Sequence, residues 1–237
     1  QTIYFAFGHD EERGGSGAKA MAALLKSRGA KIGLALDEGY AVLDGVLAGV
    51  NRPAAIVGMA EKGYVSVELT ASGAGGHSSM PSPDNAAVRI ARAVDRLADD
   101  PFPARVQGLT GDMLTSLAPY MDQPLRTVVA NRWLTDPLIR SQLLKNPRTA
   151  AALRTTTAVT ILQAGTKDNV LPQSARAVVN HRILPGDTID SVVARDRATI
   201  NDPKVTVRAI PGGHNPSRPA STNSAAYKQL AAAIRAT

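Results

Sequence analysis

The chain has 237 residues, 44% of them apolar, with a formal net charge of +7 and a pI near 9.9. That suffices for one large domain or two modest ones, and with aromatics at 4% the core must be mostly Ala, Val, Leu and Ile. The lack of cysteine excludes disulfides and thiolate metal ligands, so carboxylates and histidines must hold any metal.

No run approaches the roughly 18 apolar residues that span a membrane. Lys and Arg are scattered with few aromatics beside them, which argues against nucleic acid; a basic surface near an anionic substrate is the milder reading of the charge. No initiator Met and no signal segment are present. The compartment therefore stays open between cytoplasmic and periplasmic or secreted, and the chain is expected to be a trimmed product.

Ile3 to Phe7 is a short apolar run that reads as a buried strand, and Ala18 to Arg28 reads as a helix that Ser16 can cap and Gly29 can end. Between them lies Gly8-His9-Asp10-Glu11-Glu12-Arg13-Gly14-Gly15. Three acidic side chains thus sit in a loop between a strand and a helix, where open α/β sheets bind ligands. Adjacent carboxylates repel each other and ask for a cation or a shared proton. A metal hydrolase needs such a pair, one oxygen donor for the ion and one free base for the attacking water. The bland alternative is an acidic surface turn.

Lys31 to Leu36 reads as the next strand, and Asp37 follows it. Two parallel neighbours would bring Glu12 and Asp37 to one rim of the sheet. Turn chemistry before Gly39 is an equal claim on Asp37, and Glu38 is the fallback ligand. Ala54 to Ala60 is a further short apolar run. From Tyr64 to Thr70 the pattern alternates, as in a half-exposed antiparallel strand, and a domain boundary is expected near Gly63.

A glycine-rich loop, Ser72 to Ser79, carries His77 and lacks the Gly-Lys-Ser/Thr ending of a phosphate loop. Asn85 to Leu97 follows as a helix. Residues 100 to 155 read as a helical insertion, with helices over Leu109 to Tyr120 and Pro137 to Leu144 and then Ala150 to Arg154. Trp133 is its packing anchor. Thr157 to Leu162 and Ala175 to Leu184 read as strands, with His181 as a core-side or interface residue and Asn180 and Arg182 on the other face. Asp187-Thr188 can cap a helix to about Ile200, and Val205 to Ile210 is the last strand. His214 reads as an ordinary loop residue, and Ser224 to Ala236 as a final helix. The order from Tyr64 is the ferredoxin-like βαββαβ pattern.

Four ordered segments carry a family resemblance: Phe7-Gly8-His9-Asp10-Glu11-Glu12 with Gly14-Gly15, Leu36-Asp37-Glu38-Gly39, Gly75-Gly76-His77-Ser78-Ser79-Met80-Pro81, and Asn169-Val170-Leu171-Pro172 leading to Asn180-His181-Arg182. Together they resemble the M20 metallopeptidases, in the carboxypeptidase S and N-acyl-amino-acid hydrolase branch. The resemblance implies an α/β fold: a partial doubly wound zinc-peptidase catalytic domain over 1–63, an inserted ferredoxin-like α+β lid over 64–211 that serves dimerisation, and a return segment over 212–237. It implies two zinc ions bound through Glu12 and Asp37, Glu11 as general base, and His77 as oxyanion donor, commonly to the active site of a partner subunit. Arg182 and Asn169 would bind the substrate's carboxylate.

The expected substrate is a peptide or an N-acyl amino acid, and the expected partner a second copy joined through the lid, with no nucleic acid and no membrane span. The family's early His-x-Asp motif, bridging Asp and last His have no counterpart here. The chain is therefore expected to be a fragment, inactive alone, of a zinc carboxypeptidase. The alternatives are an N-acyl-amino-acid amidohydrolase and a non-catalytic module that associates through its lid.

Overall fold

A computed structural model of the chain describes residues 2–10, 14–38, 41–45 and 49–236. The chain divides into two compact units, residues 40–220 and residues 1–39 with 221–237.

The larger unit is built on a four-stranded antiparallel sheet. Its strands are β3 (Gly63–Ser72), β5 (Thr156–Ala164), β7 (Ser174–Ile183) and β8 (Val205–Ala209), in the order β5-β7-β3-β8. Helices α2 (Ala86–Asp99) and α7 (Ile189–Ile200) complete the expected βαββαβ connectivity. The alternation in the sequence explains the layering. Val65, Val67 and Leu69 of β3 and Ala177, Val179 and Ile183 of β7 are buried, and Ile90, Ala93 and Leu97 of α2 with Val192 and Ile200 of α7 close over them. Each such Val, Leu or Ile contributes about 1.5–3 kcal/mol on burial. The opposite face of the sheet is open and carries Tyr64, Ser66, Glu68, Asn180 and Arg182.

Both helices start on side-chain caps. Asn85 Oδ1 accepts from the amides of Ala87 (2.9 Å) and Val88 (3.3 Å). Thr188 and Ser191 form a reciprocal capping box. His181 lies on the core side, as the alternation requires, fully buried with Nε2 3.0 Å from Asp196 Oδ2 of α7.

The insertion has its own small core of Val106, Ala118, Val129, Ile139 and Leu153. Its helices are α3 (Leu109–Leu117), α4 (Leu125–Ala130), α5 (Arg132–Leu143) and α6 (Pro147–Leu153). Three expectations need correcting. Helix α4 is new. Helix α5 begins five residues before Pro137, which sits inside it. Trp133 is no packing anchor, since it is 83% exposed. The run from Ala54 forms only a two-residue strand, β2 (Ala54–Ala55), paired with β1 (Val42–Leu43).

In the smaller unit, α1 (Ser16–Ser27) and α8 (Ala225–Ala236) are the regular elements among the described residues. Neither Ile3–Phe7 nor Lys31–Leu36 is a strand. Ile3, Phe5 and Phe7 are 76–86% exposed. A strand exists by hydrogen bonding to a neighbour, and no described segment of this unit pairs with these runs. Among the described residues, no helix is long and apolar enough to cross a membrane.

Candidate functional site

The glycine-rich loop after β3 turns the chain through Gly75 (φ 67°) and Gly76 (φ 131°), backbone conformations that side chains resist. The turn delivers β4 (Gly76–His77) antiparallel to β6 (Val170–Leu171), with His77 opposite Val170. The Ser78 amide donates to the Asn169 carbonyl at 3.1 Å. His77 and Asn169 thus meet in one two-stranded corner, which the sequence pattern did not foretell.

The His77 ring is exposed, and its Nδ1 receives two donors. The Ser79 amide lies 3.2 Å away and the Ser79 hydroxyl 2.8 Å away. A nitrogen that accepts an amide hydrogen cannot carry its own proton there. The neutral ring is therefore protonated at Nε2, which is left as an outward donor. Asn169 Oδ1 is buried with no protein donor among the described residues, so its amide has hydrogen-bonding capacity unspent.

Arg182 stands on the open face of the sheet. Two other arginines, Arg176 and Arg208, share the face, and both are spent on Glu68. Arg176 Nε donates to Oε1 at 2.7 Å and Arg208 Nε to Oε2 at 2.8 Å, which holds the Glu68 carboxyl below the usual range. The Arg182 guanidinium has no carboxylate partner among the described residues. It lies over the Tyr64 ring instead, with Cζ 5.0 Å from the centroid. Five N–H donors in a planar fork are thereby left for an outside acceptor.

These residues do not converge within one lid. Arg182 pairs with Tyr64 at one end of the β3–β7 ladder, while Ser72 pairs with Ser174 at the other, and the His77–Asn169 corner extends past that end. From Ser174 to Arg182 the strand covers about 26 Å at ~3.3 Å per residue.

Lys62 adjoins Arg182. Its Nζ donates to the carbonyls of Ala151 and of Arg154 (2.8 Å), at the carbonyl end of α6. Burial first, then repulsion from Arg182, lowers its pKa from 10.5 to about 8 against the opposing pull of Asp187. The folded value lies below the unfolded one. Between about pH 8 and 10.5 the unfolded chain therefore holds the extra proton, and stability rises with pH. Thermal melts should show the midpoint of the wild type gaining on that of Lys62→Met across this window. A constant difference would contradict the burial of a charged Lys62.

The acidic segment is partly described. Asp10 caps α1, a correction to the expected Ser16 cap: its carboxylate accepts from the amides of Ser16 (2.8 Å) and Gly17 (3.0 Å) and from the Ser16 hydroxyl. These bonds, led by that of the Ser16 hydroxyl, hold its pKa low. Glu11 and Glu12 lie outside the described residues. Asp37 is exposed, and its Oδ1 accepts from the Glu38 amide at 2.9 Å. No three His, Asp or Glu side chains among the described residues are grouped to hold a metal. These residues by themselves therefore do not fit zinc, which wants three or four protein ligands.

A family model described as a peptidase dimerisation domain, M20_dimer, matches residues 59–208. The chain is 41% identical over 212 residues to the N-fatty-acyl-amino acid synthase/hydrolase PM20D1 of Xenopus tropicalis, covering 89% of this chain and 41% of that protein. It is 36% identical over 239 residues to the probable carboxypeptidase S-like 2 of Dictyostelium discoideum, covering 99% of this chain and 46% of that protein. Among solved structures, the M20 family metallo-carboxypeptidase Sso-CP2 from Sulfolobus solfataricus aligns with a TM-score of 0.44 and 19% identity, over 70% of this chain and 46% of that one. The chain spans less than half the length of these curated relatives.

Proposed function

The chain belongs to the M20 peptidase family, and on that footing we propose that the intact protein hydrolyses an amide bond next to a free carboxylate, as a zinc-dependent carboxypeptidase. The free guanidinium of Arg182 carries this reading. On an open face where Arg176 and Arg208 are both ion-paired to Glu68, it is the one shaped and placed to take a carboxylate in bidentate fashion. Asn169 would share that anchor. His77, protonated at Nε2, would donate to the oxygen that gains charge as the amide carbon becomes tetrahedral. Glu11 would take the proton of the attacking water and return it to the departing amine. Glu12 and Asp37 are the proposed zinc carboxylates. The described residues by themselves assemble no zinc site.

The separation of Arg182 from the His77 corner supports a dimer. The scissile carbonyl and the terminal carboxylate of a substrate stand about one residue apart, ~3.8 Å between successive Cα atoms. No single lid reaches both across about 26 Å of strand. Two lids related by a two-fold axis can, each giving His77 and Asn169 to the other's site. Strand β5 offers the junction: it is an edge of the sheet, exposed along most of its length, with Val159 and Leu162 40% and 58% exposed.

A second reading, an N-acyl-amino-acid amidohydrolase, is favoured by the 41% identity to a protein named as an N-fatty-acyl-amino acid synthase/hydrolase. Both need the same carboxylate anchor. A screen of the intact protein against dipeptides and N-acyl amino acids separates them. Faster turnover of dipeptides supports the carboxypeptidase, and faster turnover of N-acyl amino acids the alternative. Turnover of neither, by a zinc-loaded protein, would leave the lid as an association module only.

A further inference from the structure

We propose that Tyr64 is the positioning residue for the carboxylate anchor: its ring seats the Arg182 guanidinium, whose N–H donors stay free. This rests on the reading of Arg182 given above. The two residues are direct cross-strand partners on the open face, Tyr64 on β3 and Arg182 on β7. The guanidinium lies over the ring at 5.0 Å. A cation on a ring face spends its π surface and keeps its in-plane N–H groups for an acceptor. An ion pair, like those of Arg176 and Arg208, would consume them.

The ring is tethered at its hydroxyl, and the Tyr64 backbone is held on its other edge. Tyr64 Oη lies 3.2 Å from Ser66 Oγ, which also receives Asn180 Nδ2 at 3.2 Å. Along the other edge, Tyr64 and His214 exchange two main-chain hydrogen bonds of 2.9 Å. Electrostatics alone would not keep Arg182 in place. No carboxylate among the described residues holds it, and its like-charged neighbour Lys62 stays bonded to α6 carbonyls. What retains the side chain is the ring.

Steady-state kinetics on the intact protein test this, with the best substrate of the screen and its carboxamide analogue. Tyr64→Leu should raise KM for the carboxylate substrate roughly 3- to 20-fold, the range of a cation–π contact, with kcat little changed. The carboxamide should be unaffected. Tyr64→Phe, which keeps the ring, should retain the wild-type KM. In an Arg182→Ala background, Tyr64→Leu should add nothing. Should the leucine variant not fold, Tyr64→Met takes its place against Tyr64→Phe and Tyr64→Trp.

Distinct failures have distinct meanings. An unchanged KM in Tyr64→Leu beside a raised KM in Arg182→Ala overturns the role of Tyr64 and leaves the anchor standing. An unchanged KM in Arg182→Ala removes the anchor, and Tyr64 with it. Equal losses on both substrates would mark Tyr64 as a structural residue and nothing more.

Discussion

Glu11→Gln in the intact protein is expected to lower kcat by ~10²–10⁴, the usual worth of a positioned general base. Zinc content, read by elemental analysis, should stay near the wild-type level. The substitution keeps shape and removes only the ability to take a proton. Glu12 has the same chemistry one residue on but a different assignment, since adjacent carboxylates at a metal site divide the work between base and ligand. Glu12→Gln should therefore lose zinc as well as turnover. The pair of variants reads the two roles separately. Wild-type turnover in Glu11→Gln would end its assignment as base, and a reversed pattern would exchange the roles.

His77→Ala and Arg182→Ala should each strongly lower turnover at substrate concentrations below KM, by different routes. Removing one oxyanion donor costs ~10²–10³ in kcat, with little change in substrate affinity. Removing Arg182 takes away a charge-assisted bond of about 1.5–3 kcal/mol, a roughly 10- to 150-fold rise in KM. The contrast follows from their partners in the fold. His77 Nδ1 is occupied by Ser79, which leaves one directed donor, whereas Arg182 presents a whole edge. A KM effect from His77→Ala with intact kcat would place the histidine in binding instead.

Local pattern carried much of this. The period-two alternation of β3 foretold its buried face. The cap at Asp187-Thr188 was readable, as was His181 as a core-side or interface residue, and the fold settles on Thr188 and on the core. What failed depended on distant chain. The runs 3–7 and 31–36 have strand composition, but a strand needs a neighbour to bond to. Asp10 captured the start of α1 from six residues away, where proximity favoured Ser16. The meeting of His77 with Asn169, and of Tyr64 with Arg182, follows from strand register, which a linear reading does not fix. Tyr64 was therefore missed: in the sequence it is only the first residue of an alternating run.

Mixing subunits puts the two half-sites to the test. His77→Ala and Arg182→Ala proteins, each assayed below KM where either alone keeps little activity, would be combined, dissociated and allowed to reassociate. Random pairing makes half the dimers mixed, and each mixed dimer has one site with both an intact Arg182 and an intact His77. About a quarter of wild-type activity should return, as two-fold symmetry requires. If activity stays at the level of the parent variants while mixed dimers are shown to form, the lid does not complete its neighbour's site.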